Sequence, residues 1–178
     1  MSHDKIEGKG NLSVRRLNRI LTRLLAEMKD LSDEGRDLPI RWNIMHMYSS
    51  SQLAKLLAMR RGIDPELAGI AAALHDLGVV MTKKHEDHAE AGEKYVHAFL
   101  EKYNLKLGAK LPPVTQEEIG QIVRAIVDHS KKEIYSSDVF VELLKDVDSL
   151  DGYLHGVKAE GGRLERCHRV LKELGVEG

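Results

Sequence analysis

Among its 178 residues the chain has one cysteine, Cys167, so an internal disulfide is impossible and a disulfide-stapled secreted scaffold is excluded. Aromatic residues make up only 4% and the formal net charge is -1. With neither a stacking platform nor a basic excess, dedicated nucleic-acid binding is not expected, whereas a small anionic partner still fits. No apolar run approaches the roughly 18 residues of a membrane span. The opening MSHDKIEGKG also lacks the apolar stretch of a secretory signal, so a cytoplasmic protein without a membrane partner is expected. Convincing strand alternation and repeats with the period of a solenoid are missing too.

What the sequence does have is a globular composition, 42% hydrophobic and 31% charged, over a length that suits one domain. Residues 1–10 read as a flexible polar tail and 11–178 as a single helical domain. Leu17, Ile20, Leu21, Leu24, Leu25 and Met28 recur at helical spacing and predict an amphipathic helix from Leu12 to about Asp33, with Gly35 as its stop. Pro39 opens a second helix that runs through His46 to a cap at Gly62. Asp64-Pro65-Glu66 starts a third, whose run from Leu67 to Leu74 is apolar all round and therefore central. Further helices are predicted near 86–104, from the capping box at Thr115–Glu118 to about Ser130, from Ser137 to about Leu154 and from about Ala159 to Leu174. The fold class expected is all-α, a compact multi-helix bundle.

Histidines and aspartates fall on the inner faces of these helices. His46 shares a face with Ser50, Leu53, Ala54 and Leu57. Taken alone, such a histidine is more often a satisfied core residue than a ligand. His75 and Asp76 end the central helix just before Gly78. An aspartate there meets the negative end of the helix dipole, at a cost of about 0.3–1 kcal/mol unless a cation is near. Pairing of Asp76 with Lys83 or Lys84 is the plainer alternative. His88 faces inward with Gly92, Val96 and Phe99, while His97 points the opposite way; His85 could reach the same region as His88. His129 lies on the apolar stripe of its helix and Asp128 falls outside it. In Lys145–Asp151 the helical phase admits both Asp148 and Asp151, with Asp146 farther round. Several inward imidazoles and carboxylates are costly to bury singly, and a divalent cation satisfies them together.

His46, the doublet His75-Asp76 in AAALHDLG, and Asp148 in KDVDSLDGYL resemble the H…HD…D signature of HD-domain phosphohydrolases over about residues 40–155. The resemblance implies a helical HD-domain bundle and metal ligation by His46, His75, Asp76 and Asp148, which selects Asp148 over its neighbours. His88 in HAEAG and His129 in IVDHS resemble the additional histidines of binuclear members, such as cyclic-dinucleotide phosphodiesterases and symmetrical dinucleoside tetraphosphate hydrolases. The Gly-Tyr-Pro motif of the cyclic-di-GMP-degrading subgroup is missing, so that substrate is not implied.

Ligands of this kind, with no cysteine, suit one or two divalent ions of iron, manganese, cobalt, nickel or zinc. The activity expected is metal-dependent hydrolysis of a phosphomonoester or phosphodiester in a nucleotide or related small phosphate ester, by metal-activated water. Asp76 would also orient the water, and Arg41, Lys83 and Lys84 are candidates to meet the phosphate. Lys131 and Lys132 read as ordinary basic loop residues, His155 as lying late in its helix, and Cys167-His168 as packing or surface. The competing reading is a nucleotide-sensing or regulatory module without turnover, which the intact ligand set disfavours.

Overall fold

The computed structural model describes residues 12–106 and 111–176; the tail expected at 1–10 lies outside them. Eight helices and no strand occur among the described residues. They are α1 (Arg15–Met28), α2 (Ile40–Arg61), α3 (Pro65–Leu74), α4 (Leu77–Thr82), α5 (His88–Leu105), α6 (Gln116–Asp128), α7 (Val139–Leu154) and α8 (Gly161–Glu173). The first helix is shorter than its periodicity suggests. Its buried stripe ends at Met28, and the next apolar residue, Leu31, is exposed.

Local signals set most of the boundaries. Asp64 accepts from the amides of Glu66 and Leu67 with Pro65 in the first turn of α3, and Thr115 and Glu118 form the reciprocal capping box of α6. Gly62 closes α2 in the left-handed conformation at φ 68°. Every residue of α3 except Pro65 is buried, and this helix packs on α1, α2, α6 and α7. The buried apolar side chains form one continuous cluster, which α3 crosses. At its amino end, buried Glu66 holds the backbone amide and guanidinium of Arg16 on α1. Its carboxyl end therefore has a fixed position at the convergence of α2, α6 and α7.

The chain departs from expectation just beyond that point. Gly78 does not stop the helical run but lies inside α4, which starts one residue after Asp76. A Cβ on Gly78 would lie 2.0 Å from the carbonyl oxygen of His88. The lack of a side chain thus lets α4 and α5 touch backbone to backbone, and this contact brings His88 toward Asp76.

Candidate metal centre

Four imidazoles meet at the carboxyl end of α3. His46 arrives from α2, His75 is the C-cap of α3, His88 opens α5 and His129 is the C-cap of α6; all four are buried. In each ring the Nδ1 is committed. His75 donates to the carbonyl of Ala72 (2.6 Å), His88 to that of His85 (2.6 Å) and His129 to that of Ile126 (2.5 Å), while His46 donates to Oδ2 of Asp151 (2.6 Å). Such bonds fix ring orientation and leave Nε2 as the group presented to the centre.

Those Nε2 atoms come together in two pairs. His46 and His75 stand 3.0 Å apart, as do His88 and His129. Two nitrogen lone pairs at that distance repel unless a cation or a proton lies between them. Asp76 joins the pairs. Its Oδ1 is 3.5 Å from His75, 3.2 Å from His88 and 3.8 Å from His129, and its Oδ2 is 3.8 Å from His46. Asp148 closes the first pair, with Oδ1 3.1 Å from His46 and 3.6 Å from His75. Three overlapping groups have donor atoms close enough to share an ion: His46, His75 and Asp76; His75, His129 and Asp148; and Asp76, His88 and His129. Hard oxygen and borderline nitrogen donors without thiolate suit divalent transition metals, so the residues fit the group they are expected to hold.

The electrostatics point the same way. Burial works against a charged His46, yet the carboxylates of Asp148 and Asp151 overcome it and hold the imidazolium up to about 10. Burial likewise opposes the charge on His88, and Asp76 raises it. His129 is pushed down to about 3, chiefly by burial and then by the positive charge of Lys132. Asp76 and Asp148 are both held well below the usual carboxylate range although burial raises them; the neighbouring imidazoles, and Lys132 for Asp148, outweigh it. Both carboxylates thus favour positive charge at the imidazoles they face, which is the charge a bound cation would supply.

The structure brings together His46, His75, Asp76, His88, His129 and Asp148. His85 lines the neighbouring cavity with its ring tilted 33° against that of His88 (4.6 Å between centroids), and it supplies a carbonyl rather than a ring nitrogen. Arg41 lines the cavity, but Lys83 and Lys84 do not. Lys83 is the left-handed cap of α4 (φ 67°) with its ammonium on the carbonyl of Glu34, and Lys84 pairs with Asp37. The placement of Asp76 also differs from the helix-terminus picture. It is followed at once by α4, whose first turn it precedes without capping it, so its carboxylate is available to the histidines.

Several residues outside the expected ligand set also enter. Asp151 orients His46 through Nδ1 and also accepts from Ser49 (2.9 Å), which in turn meets His155 (3.1 Å). Lys132 places its ammonium on Oδ2 of Asp148, the oxygen turned away from the histidines. The helical phase of α7 had admitted Asp151, but no signal separates Lys132 from its neighbour Lys131, which pairs with Asp128 at the surface. Cys167 is buried against the carbonyl of Ser149, and His168 is exposed.

A cavity of about 830 Å³ opens beside the cluster. Leu38, Pro39, Trp42, Met45 and Val157 form its apolar wall, and Arg41, Lys132 and Arg163 supply cationic groups. Trp42 stacks on His46, with ring centroids 5.7 Å apart and planes 15° from parallel. No helix among the described residues is long and apolar enough to cross a membrane.

Comparison with known proteins agrees with this geometry. The chain is 32% identical over 81 residues to a protein named ribonuclease Y from Chlorobium luteolum, 46% of this chain and 14% of that protein. It is 35% identical over 78 residues to ribonuclease Y of Chlorobium phaeobacteroides, 44% of this chain and 14% of the relative. To that of Opitutus terrae it is 25% identical over 130 residues, 71% of this chain and 21% of the relative. The chain thus spans about a fifth or less of the length of these relatives. No solved structure gives a significant match. A family model described as the HD domain matches residues 43–164, more than half of the chain. The bundle, the doublet at the end of α3 and this match lead to one conclusion: the chain belongs to the HD-domain family, the superfamily of metal-dependent phosphohydrolases.

Proposed function

We propose that the protein is a binuclear metal-dependent phosphohydrolase that cleaves a phosphate ester in a nucleotide or a related small molecule. The observation that carries this reading is Asp76, whose two oxygens face two pairs of Nε2 atoms, each pair 3.0 Å apart. In this reading His46, His75, Asp76 and Asp148 hold one ion, and His88, His129 and Asp76 a second. When bound, divalent transition metals acidify water and neutralise phosphoryl oxygens.

The chain's own residues supply the rest. Asp76, kept ionised by the imidazoles around it, orients the attacking water and accepts its hydrogen bond. Asp151 fixes the ring of His46, and the carbonyls of Ala72, His85 and Ile126 fix the other three. Lys132, beside Asp148, and Arg41, on the cavity wall, stand where phosphoryl oxygens would need cationic partners. Trp42 offers an aromatic face for a base, and the cavity volume lies within the range of nucleotide-sized ligands. The likeness to ribonuclease Y adds an oligoribonucleotide to the substrates worth assaying.

The test is metal content by elemental analysis, together with hydrolysis of a generic phosphodiester, a nucleotide panel and a short oligoribonucleotide, in wild type and Asp76→Ala. Bound metal is expected, with turnover on the order of a thousandfold lower in the variant, equivalent to several kcal/mol of transition-state stabilisation. Wild type that is inert with every candidate ion would overturn the enzymatic reading in favour of a nucleotide sensor.

A further inference from the structure

Helix α8 carries three arginines at successive turns, Arg163, Arg166 and Arg169, and the first differs from the other two in having no carboxylate partner among the described residues. Arg166 is fully buried, and its charge is met by Glu142 (2.6 Å) and Asp146 (2.9 Å), with the carbonyl of Lys132 at 2.8 Å; its Nη2 alone is left without a partner. Arg163 reaches the cavity wall, where among the described residues it forms no ion pair, and its Nε is buried without a hydrogen-bond partner. Unlike Arg166, Arg163 therefore brings to the cavity a guanidinium whose charge no carboxylate among the described residues balances, and an anion entering the cavity would balance it.

Three features around it belong to a built site. Gly152 of α7 gives the guanidinium its space: a Cβ there would lie 2.5 Å from Nη2 of Arg163. The loop that carries Lys132 is fastened to α8 twice, through Arg166 on the carbonyl of Lys132 and through Glu133, which accepts from the amide of Gly162 (3.0 Å). The carboxylate of Glu133 already occupies the amino end of α8, so that end is not where an anion would go. Lys132 and Arg163 are thereby held on one wall, with Lys132 engaged at Asp148 and Arg163 unengaged.

We propose that Arg163 forms a second anion subsite, which binds a phosphoryl group other than the one hydrolysed, so that the preferred substrate is a nucleotide carrying more than one phosphoryl group in a chain. This rests on the phosphohydrolase reading. The metal centre and Lys132 provide the positive charge a single phosphoryl group needs. An additional planar, fork-shaped donor with no acceptor suits a neighbouring phosphate. Arg163 is a specificity-determining residue in this account, and Gly152 is the residue that lets it take its position.

The experiment is calorimetric binding to the zinc-loaded full chain, with adenosine 5′-monophosphate and the non-hydrolysable α,β-methylene analogue of adenosine 5′-diphosphate as probes. Wild type is expected to prefer the diphosphate by about tenfold, a gain in keeping with one charge-assisted contact. In Arg163→Gln the preference should fall to about unity, and Arg163→Lys should recover part of it. Gly152→Ala, whose methyl displaces the guanidinium, should also abolish it and gives an independent route to the same answer. A preference that persists in both Arg163→Gln and Gly152→Ala, or that is missing from wild type while the monophosphate binds, overturns the second subsite and leaves the phosphohydrolase reading intact. Failure of zinc-loaded wild type to bind either nucleotide overturns the second subsite as well, and the phosphohydrolase reading falls with it only where the same protein is also inert toward the substrate panel with every candidate ion.

Discussion

Two carboxylates on α7, two residues apart, have opposite surroundings. Asp146 is met by three guanidiniums, from Arg61 (2.7 Å), Arg166 (2.9 Å) and Arg169 (2.6 Å), and is 1% exposed. Asp148 meets the ring nitrogens of His46 and His75 on one oxygen and a single ammonium, that of Lys132, on the other. The first is satisfied by permanent charges of the chain and ties α2, α7 and α8 together. The second faces groups whose charge depends on a proton or on a metal. Buried acidity alone therefore does not mark a site; the kind of partner does.

That contrast is open to attack through its two aspartates. Asp148→Ala is expected to lower turnover by on the order of a thousandfold and to reduce bound metal, without a large fall in melting temperature, as read by kinetics, elemental analysis and calorimetry on one preparation. Asp146→Ala should do the reverse. Leaving Arg166 and its neighbours short of a counter-charge is expected to cost about 3–5 kcal/mol in denaturant unfolding, with metal content per folded molecule retained. If the two variants behaved alike, the distinction between a binding and a structural carboxylate would be lost.

A finer probe is Asp151, which touches no proposed metal position and acts only through His46. Asp151→Asn should weaken metal affinity by about 10–100-fold, while the isosteric amide preserves the fold. Competition with a chelating dye measures it, and unchanged affinity would mean that the orientation of His46 is fixed by packing.

The smallest expected effects are in pH. In the metal-free protein His46 is held up to about 10, above its ordinary 6.5. Its contribution to stability is complete below about 6.5 and is lost as pH rises through about 10. His129, held down to about 3, has the opposite sign: its contribution is present above 6.5 and is lost as pH falls toward 3. Thermal melts of the chelator-treated protein should therefore fall on both sides of about 6.5. Metal binding at neutral pH should also release protons, on the order of one from His46, detectable in a weakly buffered titration. Binding with no proton release would place the ion away from His46.

Much of this architecture is written in local sequence. The cap at Asp64, the capping box at Thr115 and the glycine at position 62 mark helix ends because their chemistry acts over three or four residues. The inward phase of His46, His88 and His129 follows from helical periodicity, which places each on the stripe that must be buried. Periodicity was weaker on α7, where it left Asp148 and Asp151 both admissible and put Asp146 outside; in the fold all three carboxylates are engaged, each by different elements. The choice of Asp148 rested on the family resemblance.

What the sequence determined by itself, then, is an all-helical chain, the central position of α3 and a set of inward histidines and aspartates, because these depend on spacing along one helix at a time. Only the tertiary structure decided which lysine counts. Lys83 and Lys84, next to the doublet in sequence, turn to Glu34 and Asp37, whereas Lys132 is carried onto Asp148. It likewise brought Arg163 from α8 into the cavity and let Gly78 close the gap between α4 and α5. The physical reason is that each of these depends on the distance between elements remote in sequence, which is set by packing around a shared core and leaves no periodic trace in the chain.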